Sequence, residues 1–357
     1  MKQRLLSIDI LRGMTIMLMV VVNSPGTWDY VAAPLRHSAW NGLTLTDVVF
    51  PCFMFIMGMT TYISLRKHAF TLSGGLALKM LRRAAVLFAL GLLVNWTAAG
   101  LPSLHELRVP GVLQRFAVCY LAVSLLGTQI SPRRMLHTAW GLLALYAVLL
   151  LAFDGYAYDG DGILAAADRA CLGPHMMCDG GIDPEGVLST LPSVAHVMIG
   201  YYMGAVALSA RPVADKALSL AAWGAALLFA GLLADSFLPV NKKVWSPTFV
   251  LATCGLSLLA LALLTTVLDV RGKKMPKKVF LVFGVNPLVC YLLGEFLYIA
   301  LNSFQVSGET LQTWFYGAFA RVLGDGELAS FSCALALTAA VGLCGWGLYA
   351  RKIFVKI

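Results

Sequence analysis

The sequence predicts an all-α, polytopic integral membrane helical bundle with about ten transmembrane helices and cytoplasmic N- and C-termini. Three observations carry that expectation. Hydrophobic residues make up 59% of the chain and charged ones 13%, with a mean hydropathy of +0.79, where soluble domains carry roughly 25% charged residues. Apolar runs of about 20 residues recur along the whole length, and inside lipid a helix can pair all its own backbone groups. Basic residues alternate between successive connectors, as the positive-inside rule requires. Period-two alternation is missing, which excludes a membrane β-barrel.

Taken in order, the first run, 8–25, carries Asp9 and Arg12 and ends in "VVVNSPG", where Pro25 and Gly26 stop the helix just beyond Asn23. Asp9 and Arg12 interrupt it and no small-residue cleavage site follows, so an uncleaved helix is expected. The second run, 44–66, opens near Asp47 and contains Pro51, an expected kink. Further spans are expected at 78–98, 109–130, 135–153, 186–209, 215–236, 246–269, 279–302 and 328–350. Connectors are short except 154–185, an Asp- and Gly-rich loop with little helix or strand signal that ends "CDGGIDPEGVLSTLPS". A loop of that length is a lid, a binding element or disordered. With no internal repeat, residues 1–357 are expected to form a single transmembrane domain.

Charge sets the orientation. One side gathers Lys2, Arg4, Arg66, Lys67, Lys79, Arg82, Arg83, Arg133, Arg134, Arg211 and Lys216, then "RGKKMPKK" (271–278) and the terminal "RKIFVKI". The other holds Arg36, Arg108, Arg169, Lys242, Lys243 and Arg321. The net charge of +9 therefore reads as topology rather than nucleic-acid binding. Six of the eight cysteines fall within spans; Cys171 and Cys178 share the long extracytoplasmic loop, where a disulfide is expected and two free thiols are the alternative. His175 alone does not complete a zinc site, so no metal is expected.

Between the first two spans lies "RHSAWNGLTLTD", which brings His37, Trp40 and Asn41 to the extracytoplasmic face beside Asn23 and Asp47. Read alone, this is a site or an interfacial anchor built on Trp28, Tyr30 and Trp40. Ionisable residues in or near the spans, Asp9, Arg12, Asp47, Arg115 and Glu295, tilt the balance, since each unpaired charge in hydrocarbon costs at least about 2.5–3.5 kcal/mol. Asp9 and Arg12, three apart, can satisfy one another. Gln114 and Asn286 add buried polar groups, and a hydrated internal path accounts for the set.

The segments "SIDILRGMTIMLMVVVN", "HSAWNGLTLTDVVFPCFMFIMG", "RVPGVLQRFAVCYL", "DPEGVLSTLPS", "PVNKKVWSPTFV" and "RKIFVKI" resemble, in the same order, the transmembrane domain of the heparan-alpha-glucosaminide N-acetyltransferase family and its shorter bacterial members, within the transmembrane acyltransferase superfamily. The resemblance implies a multi-pass protein of the bacterial inner membrane, a possible homodimer, and transfer of acetyl from cytosolic acetyl-CoA to the amine of an extracytoplasmic glucosamine or glycan acceptor. It implies His37 and Asn23 as the catalytic pair. It also draws in Asp47, Arg108, Gln114, Arg115, Asp183, Glu185, Asn241, Lys242 and Trp245. Glu295 is a departure, standing where the animal enzyme has histidine.

The residue types suit that chemistry. An amine attacks a thioester only when unprotonated, and imidazole ordinarily titrates near neutrality, so His37 is the general base or, by a covalent route, the acetyl carrier. Asn23 orients the imidazole or donates to the oxyanion, the latter favoured. Candidate acceptor contacts are Trp40, Asn41, Asp47, Asp183, Glu185, Asn241, Lys242 and Trp245; candidate donor contacts are Arg12, Arg108, Gln114, Arg115, Asn286 and Glu295. Asp183 and Glu185 flank Pro184, so a rigid turn is an equal reading for them. The rival function is an amino-sugar transporter, which would be expected to show repeated halves with paired broken helices.

Overall fold

The computed structural model describes residues 6–158, 160–177, 181–273 and 277–355. Thirteen α-helices occur among them: α1 (Leu6–Asn23), α2 (Leu45–Lys67), α3 (Gly74–Ala98), α4 (Val112–Leu126), α5 (Pro132–Ala152), α6 (Ile163–Leu172), α7 (Thr190–Ala207), α8 (Val213–Leu233), α9 (Pro247–Leu264), α10 (Lys277–Val285), α11 (Pro287–Ser303), α12 (Leu311–Leu323) and α13 (Glu327–Ala350). A two-residue hairpin, β1 (Gln305–Val306) with β2 (Glu309–Thr310), is the whole of the sheet structure described. Among the described residues six helices are long and apolar enough to cross a membrane: α1, α2, α5, α8, α9 and α13, with α8 and α9 each prolonged by a short turn at the C-terminal end.

Each apolar run read from the sequence coincides with helix. The ninth differs in form. Residues 279–302 are not one straight span: Pro287 opens α11 with Asn286 as its N-cap, and α10 and α11 meet at 84°. A proline interrupts the backbone ladder and pushes the residue before it out of the helical region, so "VNPL" is where the helix breaks. Counted as one, this pair is a seventh candidate span. The long loop 154–185 differs too. It contains α6, whose apolar residues Leu164 and Ala165 bury together with Asp168.

The chain divides into two compact units, with the boundary in α2 falling between Phe50 and Pro51. Among the described residues the first comprises 6–37, 44–50, 264–273 and 277–355. In it α1 is packed by α10, α11 and α13. The α1–α10 approach is backbone to backbone: a Cβ on Gly13 would lie 1.8 Å from the Phe280 carbonyl oxygen, and one on Gly284 would lie 2.4 Å from that of Asp9. Helices in lipid gain from such close approach because no hydrophobic effect drives them together.

Among the described residues the second unit comprises 38–43, 51–158, 160–177 and 181–263. Here α5, α4 and α8 contact α7, while α3 pairs with α4. Gly58 on α2 faces the Val197 carbonyl at 2.1 Å for an added Cβ, so α2 and α7 cross on small residues. Tyr146, Leu150, Leu164, Ala165, Ile182 and Val244 form a buried cluster that joins α5 and α6 to the segments before α7 and α9. Tyr146 donates its hydroxyl to the Val244 carbonyl at 2.6 Å, so the loop 240–246 is held by core packing.

Candidate functional site

In the first unit the start of α2 builds a histidine–carboxylate pair. "TLTD" (44–47) has capping-box spacing: the Thr44 hydroxyl accepts from the Asp47 N–H at 3.4 Å, and Asp47 Oδ2 accepts from the Thr44 N–H at 3.2 Å and from its hydroxyl at 2.9 Å. That arrangement employs one carboxylate oxygen and leaves Oδ1 for His37, whose Nδ1 lies 2.6 Å away. A carboxylate only accepts, so Nδ1 carries the proton and the basic lone pair is on Nε2. The Asp47 side chain is 0% exposed and that of His37 47%, which puts a fixed partner behind a reachable imidazole. The 3-10 turn Ala33–Leu35 precedes His37, and the Thr46 hydroxyl donates to the Leu35 carbonyl at 2.7 Å, tying that turn to the helix.

At the end of α1, Asn23 Nδ2 donates to Glu295 Oε1 at 2.8 Å. The chain beyond is pinned: Gln312 donates to the carbonyls of Pro25 and Gly26 at 2.8 and 3.0 Å, and Gly26 N–H donates to the Ser330 carbonyl at 3.1 Å. Asn23, Ser24, Tyr291, Glu295 and Tyr298 line a small recess there. The other two candidates in this unit have structural partners. Arg12 donates to Asp9 at 2.8 Å and to the Gly284 carbonyl at 2.7 Å, at the α10–α11 break. Asn286 holds the C-terminal segment, donating to the Ile353 carbonyl and accepting from the Val355 N–H, both at 2.9 Å.

In the second unit, Asn41 and Asn241 form a bridge. Asn241 Nδ2 donates to Asn41 Oδ1 at 3.1 Å, and the Gly42 N–H donates to the Val240 carbonyl at 2.7 Å. Asn241 Oδ1 also accepts from the Val244 N–H at 3.1 Å, closing a turn that forces Trp245 to φ 53°. A bulky residue in the left-handed region costs on the order of 1–3 kcal/mol and is found where surrounding contacts over-determine it. Those contacts are the Arg115 guanidinium, 5.0 Å from the indole, and the rings of Phe249 and His196 at 5.1 and 6.1 Å. Lys242 is half-buried on the same turn, and Trp40 packs edge-on to Tyr158 at 4.8 Å.

Gln114 and Arg115 open α4 and are both buried. Arg115 Nη2 donates to the Ser189 hydroxyl, while its Nε and Nη1 have no hydrogen-bond partner. Neither end of the Gln114 carboxamide has one. Buried polar groups left unmet cost about 1–3 kcal/mol each, which makes Gln114 and Arg115 candidates to bind a ligand.

Arg108 forks onto Asp183, Nε to Oδ2 at 2.9 Å and Nη2 to Oδ1 at 2.6 Å, and also reaches Glu185 at 2.6 Å. Burial alone lowers the Arg108 pKa, but the two carboxylates outweigh it and hold the guanidinium above the ordinary arginine range. Behind them Asp168 accepts from the N–H groups of Asp183 at 3.1 Å and Val187 at 2.8 Å. Burial raises its pKa, against the lowering effect of those two N–H groups.

Among the sequence-predicted residues, Asn23 is thus joined to Glu295 and His37 to Asp47 in one unit, while Arg108 is joined to Asp183 and Glu185, Asn41 to Asn241, and Arg115 to Trp245 in the other. Arg12 and Asn286, expected as donor contacts, fasten helix ends and the tail. Thr44, Asp168 and Ser189 were missed. The T-x-x-D spacing would have found Thr44, whereas the other two have no local signal. Cys171 is exposed on α6, and Cys178, the other half of the expected disulfide, lies outside the described residues.

Residues 4–234 match the family model described as heparan-alpha-glucosaminide N-acetyltransferase, catalytic. Heparan-alpha-glucosaminide N-acetyltransferase of Homo sapiens is 26% identical over 99% of this chain, and that of Mus musculus is 26% identical over the same share. The chain spans 60% of the length of these relatives.

Proposed function

The chain belongs to the heparan-alpha-glucosaminide N-acetyltransferase family, and on that premise we propose that it is a multi-pass N-acetyltransferase that passes acetyl from cytosolic acetyl-CoA to the amine of an extracytoplasmic glucosamine-type acceptor. On this reading residues 1–357 act as one transmembrane domain of about ten spans in the bacterial inner membrane, with both termini cytoplasmic. The broken α10–α11 pair, the shorter α4, and α3 and α7 then count as spans alongside the six long apolar helices.

The observation that carries the reading is the His37–Asp47 pair. Asp47 holds Nδ1, so Nε2 takes the proton from the attacking amine nitrogen. The nitrogen bonds to the acetyl carbonyl carbon, a tetrahedral intermediate forms, the carbon–sulfur bond breaks, and the imidazolium returns its proton to the leaving thiolate of CoA. Arg115 and Gln114, with donors unmet inside the second unit, are suited to the carbonyl and amide groups of the donor's thioester arm. Asp183 and Glu185 are both engaged by Arg108, so among the acceptor candidates of the second unit Trp40 is the one suited to a sugar, with its aromatic face.

The test is acetyl transfer by the purified full chain from labelled acetyl-CoA to glucosamine, beside His37→Ala. Transfer that falls by on the order of 10²-fold or more in the variant supports the reading. Equal transfer by both proteins overturns it, as does labelled sugar crossing a vesicle bilayer with no acetylation, which selects transport.

A further inference from the structure

We propose, resting on that acetyl-transfer reading, that Glu295 is a positioning residue: it turns the Asn23 carboxamide so that Asn23 meets the incoming amine with its carbonyl oxygen. Asn23 Nδ2 donates to Glu295 Oε1 at 2.8 Å, so the amide nitrogen faces Glu295 and Oδ1 occupies the opposite edge.

An oxyanion-stabilising Asn would have to spend its N–H groups on the reacting oxygen. Here Glu295 competes for them. An acceptor oxygen suits the other partner in the reaction, the amine, whose N–H must be steered as its lone pair approaches the thioester carbon.

Glu295 is the single acidic residue of α11, whose sequence is otherwise "PLVCYLLG…FLYIALNS". The neighbouring Gly294 lets α11 approach α1, because a Cβ there would meet Val20 at 3.1 Å. Both side chains face the recess they share with Ser24, Tyr291 and Tyr298. Nothing else in the first unit is hydrogen-bonded by Asn23 among the bonds described, so orienting that amide is the task α11 performs at this level.

The experiment uses the full chain in lipid nanodiscs with acetyl-CoA and glucosamine, and compares wild type, Glu295→Gln, Glu295→Ala, Asn23→Ala and the Asn23→Ala/Glu295→Ala double variant. Gln can present either its oxygen or its N–H to Asn23 and should fall between wild type and Glu295→Ala. Glu295→Ala should lose on the order of 10- to 100-fold in kcat with the KM for acetyl-CoA unchanged. Once Asn23 is alanine, removing Glu295 should cost no more than about twofold further, because the two act as a unit. Additive losses, an effect confined to the KM for acetyl-CoA, or full kcat in Glu295→Ala overturns this inference alone. Absence of transfer by the wild type overturns the acetyl-transfer reading and this inference with it.

Discussion

Asp47→Asn separates two tasks that one carboxylate performs. In the wild type Oδ2 accepts from the Thr44 N–H and hydroxyl at the start of α2, and Oδ1 accepts from His37 Nδ1. A carboxamide has a single oxygen. If that oxygen keeps the cap, the amide N–H faces His37, Nδ1 must become the acceptor, and the proton moves to Nε2, where it abolishes the base. If the oxygen turns to His37, the amide N–H opposes the Thr44 N–H and the cap is lost, a cost of about 0.5–2 kcal/mol. The bond to His37 is charge-assisted but sits beside a half-exposed ring, so it is the weaker claim on the oxygen. The cap should win. Acetyl transfer should then fall on the order of 10²- to 10⁴-fold while thermal stability changes by less than about 1 kcal/mol. The assays are kcat for transfer from acetyl-CoA and a melting curve of the same preparation. Activity within about threefold of wild type would refute the tautomer argument, and so would an activity loss fully accounted for by unfolding.

Three more expectations follow from the same geometry. Arg108→Ala leaves the fully buried Asp183 carboxylate uncompensated and should destabilise the protein by about 2–4 kcal/mol, read by thermal unfolding; Arg108→Lys should recover only part, because an ammonium cannot fork across both carboxylate oxygens. Gly58→Ala drives a Cβ to 2.1 Å from the Val197 carbonyl, so α2 and α7 must part, at about 1–3 kcal/mol in the same assay. Asp168 gains a pKa above its ordinary 3.8 on folding, so its contribution to stability is fully present below that value and is lost as pH rises through the raised one. Asp168→Asn should flatten that part of the stability–pH curve, and a curve unchanged in shape would contradict the burial argument.

Much of the helical layout was legible because a segment in lipid must be apolar for about 20 residues, and that leaves a mark no other context produces. The asparagine and histidine of the candidate site were legible as well: a polar group beside a span is conspicuous against so little polarity. Pairings over long separations were not. Arg108 finds its carboxylates 75 and 77 residues away, and Asn23 finds Glu295 at a separation of 272, distances over which spacing carries no information. The break at Asn286 was signalled by the Asn-Pro step yet masked by apolar residues on both sides, so the run read as one span. The helix α6 was hidden because ten residues with a short apolar face look like any loop of mixed composition. Arg12 and Asn286, expected as donor contacts, fasten backbone in the structure, a role that carries the same sequence mark as holding a ligand.

The most direct test places the two substrates on opposite sides of a membrane. The full chain is reconstituted in one orientation into sealed vesicles, labelled acetyl-CoA is supplied on the face carrying the chain termini, glucosamine is held on the other, and wild type is compared with His37→Ala. The account predicts N-acetylglucosamine accumulating only on the glucosamine side, and on the order of 10²-fold less of it with His37→Ala. Product formed only when both substrates share the face of the termini, or formed equally well without the imidazole, would contradict it.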